Sequence, residues 1–124
     1  MKKILITGSN GLLGQKLVYA LLKRKDVQVI ATSLGANRLL NQDGYIYESL
    51  DITKKEEVEK VYKKYAPDVI INTAAMTNVD ACETKRDECR ALNVTAVQNI
   101  LDAIGKNPTQ LIHLSTDFIF DVLK

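Results

Sequence analysis

Short unbroken apolar runs alternate along the chain with amphipathic stretches whose apolar positions recur at helical spacing. Ile4-Leu5-Ile6, closing at Thr7-Gly8, has the pattern of a strand buried on both faces, as in parallel sheets. From Leu12 to about Lys25, Leu13, Leu17, Ala20 and Leu21 recur at helical spacing, with Lys23, Arg24 and Lys25 expected in the last turn, against the negative end of the helix dipole. Val27 to Ala31 predicts a second strand, Thr32 to Gly44 a loop, and Ile46 to Leu50 a third strand. Thr53-Lys54-Lys55-Glu56 has the spacing of a capping box, and Val58, Val61, Tyr62 and Tyr65 then form one apolar stripe that Pro67 stops. Asp68 to Asn72 predicts a fourth strand. A helix follows from about Asp87 to Lys106, with Val97, Ile100, Leu101 and Ile104 inward and Gly105 and Pro108 as stop signals. Gln110 to Ser115 predicts the fifth strand.

The order β-α-β-β-α-β-α-β is that of an α/β protein with a doubly wound parallel sheet of the Rossmann type, helices on both faces. With 124 residues, 46% of them hydrophobic, there is material for one core. The sheet is expected to stop after about five strands, short of a complete dinucleotide-binding domain. The fifth strand is then expected to be a free edge, with Phe118, Ile119, Phe120, Val122 and Leu123 uncovered and self-association or a homodimer as the result.

Charge narrows the choice of partners. Seventeen basic and fifteen acidic residues give a net +2 and are scattered without a block of one sign, so neither nucleic acid nor a membrane surface is indicated. Met1-Lys2-Lys3 resembles the start of a signal peptide, but Thr7-Gly8 breaks the apolar run behind it, and no stretch approaches the roughly 20 residues a membrane-spanning helix needs. The expected location is the cytoplasm. Cys82 and Cys89 have the spacing of neither a zinc knuckle nor a CxxC pair and read as reduced thiols; no metal site is expected. His113, among Leu111, Ile112 and Leu114, reads as part of a strand rather than a catalytic group.

The candidate chemistry begins at Thr7-Gly8-Ser9-Asn10-Gly11-Leu12-Leu13-Gly14, between the first strand and the first helix. Gly8 suits a sharp turn, Gly11 close approach of backbone to a pyrophosphate, and Gly14 close packing of helix on strand. The amides at the helix mouth are then free to face a diphosphate. Glycine spacing alone is weak evidence, but its place after a strand and before an amphipathic helix points to a dinucleotide. Asn10, Leu12 and Leu13 belong to the same candidate cofactor-binding turn.

The TGxxGxxG form resembles the glycine motif of the extended short-chain dehydrogenase/reductases. Asn72-Thr73-Ala74-Ala75 is similar to the Asn-Ala-Ala segment lining the cofactor pocket there, Asp51-Ile52 to the acidic-aliphatic pair set against the adenine, and Asn93 to a structural asparagine beside the active site. Two longer segments, Asn72 to Glu83 and Leu114 to Asp121, resemble the dTDP-4-dehydrorhamnose reductase family, and the likeness runs from Lys3 to Asp121. Met76 stands where many members have tyrosine, and Val122 where glycine is usual.

The resemblance implies reduction of a ketone on a nucleotide-linked 4-ketosugar, with Thr116 holding the carbonyl oxygen and Thr77, Asp117 and Phe118 in the sugar pocket. A tyrosine and a lysine four residues later, which supply the proton, are expected on a helix beyond Lys124, with no such pair inside the chain. The 124 residues are thus expected to be the NAD(P)-binding portion of a larger reductase, without its substrate domain and inactive alone. The second strand ends in Ala31-Thr32-Ser33 with no acid to bind a ribose diol, so NADPH is favoured, with Ser33 and Arg38 as candidate 2′-phosphate contacts; NADH also fits. Two alternatives stay open: a non-catalytic dinucleotide-binding regulatory subunit, and another extended short-chain dehydrogenase/reductase. Among the latter, dehydratases typically carry Glu where this chain has Phe118, and epimerases a serine-rich segment.

Overall fold

The computed structural model describes residues 2–40, 43–73, 94–114 and 119–122. In chain order the elements are β1 (Lys2–Thr7), α1 (Leu12–Leu22), β2 (Val27–Ser33), β3 (Ile46–Ser49), α2 (Lys55–Tyr65), β4 (Val69–Asn72), α3 (Ala96–Ile104), β5 (Gln110–Leu114) and β6 (Ile119–Val122). They build one sheet ordered β3-β2-β1-β4-β5-β6. The strands β1 to β5 run parallel, and β6 runs antiparallel to β5. The chain winds outward from β1 through β2 to β3, then returns to the other side of β1 at β4. That reversal between β1 and β4 leaves a crevice at the carboxyl ends of the strands.

Alternation along each strand divides the core in two. Ile4, Ile6, Val29 and Ala31 pack with Val18 of α1 on one face. Leu5, Ile30, Ile70 and Leu111 pack with Val58, Val61 and Tyr62 of α2 and Ile100 and Ile104 of α3 on the other. Both faces of the central strands are covered, which is why β1 reads as an unbroken apolar run.

Three expectations need correction. The first helix ends at Leu22, with Lys23 as its cap, because Lys23 and Arg24 donate to Ala20 and Leu21 and tighten the chain out of the helix. Arg24 instead grips Asp26 through two guanidinium nitrogens, Nη2 and Nε, at 3.0 and 3.1 Å. The capping box does not form. Asp51 takes both the Thr53 N–H (3.0 Å) and the Thr53 hydroxyl (2.6 Å), so Lys54 becomes the N-cap and no side chain caps the helix. Finally, β5 is not the free edge: β6 lies alongside it as an antiparallel partner, which needs only a short connection. Among the described residues the edge on which the expected self-association rests therefore lies one strand further out, at β6. The start of the long predicted helix, residues 87–93, and both cysteines lie outside the described residues.

Candidate cofactor-binding site

At the carboxyl end of β1 the chain turns through Gly8, whose φ of 74° lies in the left-handed region. The Ser9 N–H then donates to Thr32 O on β2 at 2.9 Å, and the Gly11 N–H to Gly8 O at 3.0 Å, which fixes the turn against two strands. Gly14 sets how closely α1 approaches. A Cβ there would stand 2.2 Å from Gly8 O and 2.8 Å from Ser9 Cα, both backbone atoms that cannot step aside. No acidic residue occupies the first turn of α1 and no side chain caps it, so its positive end is left for a ligand.

A cleft of about 330 Å³ opens in front of this turn. Its floor is Thr7, Gly8 and Gly11. Thr32, Ser33 and the 70% exposed Leu34 line it at the end of β2, and Leu50, Asp51 and Ile52 after β3. Thr73, after β4, closes the end, donating its hydroxyl to Thr7 O (2.6 Å) and Gly8 O (3.2 Å). The segment after β3 is braced: the buried Asn99 side chain of α3 donates to Ile52 O at 3.0 Å, and Glu57 accepts the Asp51 N–H at 3.2 Å.

Behind the cleft a polar row crosses four strands in one register, Thr32, Thr7, Asn72 and His113. The Thr7 hydroxyl donates to Asn72 Oδ1, which leaves Asn72 Nδ2 to donate to His113 Nδ1 at 3.0 Å. His113 is thereby held with its proton on Nε2, and burial pushes its pKa below the ordinary value. Among the described residues, the fully buried Ser9 Oγ has no hydrogen-bond partner.

Of the residues singled out from sequence, Gly8, Gly11, Ser33, Asp51, Ile52 and Thr73 come together around the cleft, and Gly14 packs beneath it. Leu12 and Leu13 are exposed on α1 and do not line it. Asn10 does not line it either: its amide is spent on the loop after β2, giving Nδ2 to Ala36 O at 2.9 Å and taking the Arg38 N–H at 2.8 Å. Arg38 is exposed on that loop, outside the lining. Ala74, Ala75, Thr77, Asn93, Thr116, Asp117 and Phe118 lie outside the described residues. Thr7, Thr32, Leu34 and Leu50 line the cleft without having been foreseen; polar residues ending otherwise apolar strands were the available signal for the two threonines.

A Tyr-x-x-x-Lys spacing does occur, against the expectation that the chain holds none. It is Tyr19 with Lys23 on α1. The Tyr19 ring packs with the α1 core cluster and its hydroxyl accepts the Leu40 N–H at 3.0 Å, so the pair stands away from the cleft. Among the described residues no three His, Cys, Asp or Glu side chains gather as a metal site, and no helix is long and apolar enough to cross a membrane.

A six-stranded sheet with a glycine turn at its switch point defines the class: a Rossmann-type domain of the short-chain dehydrogenase/reductase architecture. The family model described as the RmlD substrate binding domain matches residues 1–124, and the chain belongs to that family, the dTDP-4-dehydrorhamnose reductases and their relatives. It is 33% identical over 124 residues to the dTDP-4-dehydrorhamnose reductase of Aggregatibacter actinomycetemcomitans, covering 100% of this chain and 38% of that protein. Among solved structures, a dTDP-4-dehydrorhamnose reductase from Clostridium acetobutylicum superimposes with a TM-score of 0.70 at 37% identity, covering 88% of this chain and 34% of that one. The Bordetella bronchiseptica enzyme WbmH, solved in complex with NAD⁺, gives 0.71 at 26% identity, covering 88% and 36%. The chain thus spans little more than a third of the length of these relatives.

Proposed function

We propose that the cleft binds a nicotinamide dinucleotide, NADPH ahead of NADH, and that the chain serves the reduction of a nucleotide-linked 4-ketosugar of the dTDP-4-dehydrorhamnose type. The observation that carries the reading is Gly14: contact of 2.2 Å between a Cβ there and Gly8 O means that only glycine lets the helix mouth come so near the strand end. The uncapped amides at the helix mouth, with the dipole behind them and the cleft in front, suit a diphosphate. Leu34 and Ile52 supply apolar walls for an adenine, and Asp51 an acceptor for its amino group.

No carboxylate stands at the end of β2, where it would bind a ribose diol and repel a 2′-phosphate, and Ser33 with the Arg38 loop offers the phosphate donors. The bound cofactor supplies hydride. Ketone reduction also needs a proton donor at the cleft, and the Tyr19–Lys23 pair is not there, so the 124 residues alone are expected to bind dinucleotide without turning over.

Titration of the purified chain with NADPH, followed by the nucleotide's own fluorescence, tests this. Saturable binding, tighter than for NADH and with no ketosugar-dependent oxidation, is the expected result. No binding by a folded sample overturns the cofactor assignment; turnover by the 124 residues alone overturns the division of labour.

A further inference from the structure

The segment from Ser33 to Leu40 contains no helix or strand beyond Ser33, yet it is tied down along its length. Tyr47 of β3 donates its hydroxyl to Gly35 O at 2.7 Å and lies 3.2 Å from Ser33 O. Ser49 accepts the Gly35 N–H at 3.2 Å. Asn10, reaching across from the glycine turn, takes Ala36 O and the Arg38 N–H, and Tyr45 accepts from Asn37 Nδ2 at 3.0 Å. Tyr19 takes the Leu40 N–H, and the Leu39 side chain is buried at 2% exposure. A surface loop with this many tethers has already lost its conformational freedom. None of the tyrosines lines the cleft, so their hydroxyls serve the loop and not a ligand.

What the tethers hold in place is the one segment that carries both Ser33, on the cleft wall, and Arg38, a cation in the adjoining loop. We infer that Tyr47, with Asn10, is a positioning residue for cofactor discrimination: it fixes the Ser33–Arg38 loop in the shape that receives the adenosine 2′-phosphate. The inference rests on the reading that the cleft takes a nicotinamide dinucleotide. A guanidinium on a flexible loop would pay its ordering entropy each time phosphate bound, whereas a pre-set loop does not. The surroundings of Tyr47 agree: burial raises its pKa, while the Asn10 side chain and the Arg38 charge both pull against that rise. Asn10 also joins the glycine turn to the loop, so the diphosphate and 2′-phosphate ends of the site are set by one side chain.

The test is a double-mutant cycle on the 124-residue chain, reading dissociation constants for both NADPH and NADH. In Tyr47→Phe, NADPH is expected to weaken by about tenfold, the worth of one charge-assisted phosphate contact, while NADH stays within roughly twofold. In an Arg38→Ala background, Tyr47→Phe is expected to add nothing further for NADPH. Tyr45→Phe, which loosens the loop from a second point, is expected to act in the same direction and more weakly, and it carries the test if Tyr47→Phe does not fold. Equal weakening of both nucleotides, or additive effects of Arg38→Ala and Tyr47→Phe, overturns the positioning role and leaves the cofactor site standing. Wild-type chain that binds both nucleotides equally well also overturns it. Wild-type chain that binds neither removes the underlying reading and the inference together.

Discussion

At the scale of single residues, the turn between β1 and α1 is governed by atoms that cannot move. Gly14→Ala would press a methyl group into Gly8 O and Ser9 Cα, and the helix would have to lift off the strand that it covers. A loss of about 3 kcal/mol or more is expected by denaturant unfolding, the upper range for overpacking. Ser9 presents the opposite case, since its hydroxyl is buried with no partner among the described residues. Ser9→Ala is expected to leave the free energy of unfolding unchanged or raise it by up to about 1 kcal/mol, read by denaturant unfolding; clear destabilisation would show that the hydroxyl is satisfied.

His113 adds a pH dependence at the same scale. Because burial lowers its pKa from 6.5, the unfolded chain takes up a proton at this site before the folded chain does as the pH falls. Stability from this site is therefore undiminished above the unfolded value and is lost as the pH drops through the folded one. Protonation would also turn Nδ1 into a donor facing the Asn72 amide. Thermal unfolding between about pH 7.5 and about pH 5.5 should show a steeper decline for wild type than for His113→Gln; parallel curves would contradict the assignment.

The elements show where local sequence decides structure and where it is outbid. Strand positions were legible because both faces of a central strand are buried: Ile4-Leu5-Ile6 and Val69-Ile70-Ile71 have no other good reading. Helix ends were less so. Thr53 and Glu56 have capping-box spacing, but Asp51 is a charged acceptor two residues from Thr53 and takes the hydroxyl that the helix would have used. At the other end of α2, Ala66 is left in the left-handed region at φ 45°, with its N–H on Tyr62 O at 2.8 Å. Ala66→Gly should relieve this and stabilise the chain by about 1 kcal/mol, measured by chemical denaturation; a loss of stability would mean that the Ala66 methyl contributes more packing than strain.

For the whole molecule, the reversal of strand order between β1 and β4 places everything else. It could be anticipated from the succession of strands and helices, and it leaves Gly8, Ser33, Asp51 and Thr73, far apart in sequence, on the rim of one crevice. The turn's glycines were readable because each answers a backbone demand. The tethering of the Ser33–Leu40 loop was not, since it depends on Tyr45 and Tyr47 arriving from β3 and Tyr19 from α1, contacts that no local pattern encodes. The antiparallel β6 escaped notice for a related reason: Asp121 interrupts the apolar run of Ile119–Val122, and what makes these four residues a strand is their pairing with β5.

The central claim is that a dinucleotide occupies the carboxyl-end crevice in front of the glycine turn, and amide chemical-shift mapping of the ¹⁵N-labelled chain during titration with NADPH addresses it most directly. The account predicts saturable shifts concentrated at Gly8, Gly11, Ser33, Asp51 and Thr73, with Lys63 and Asn107, which line a second cleft beside Pro67, unmoved. Shifts confined to that second cleft, or no shifts in a chain with a dispersed, folded spectrum, would contradict it.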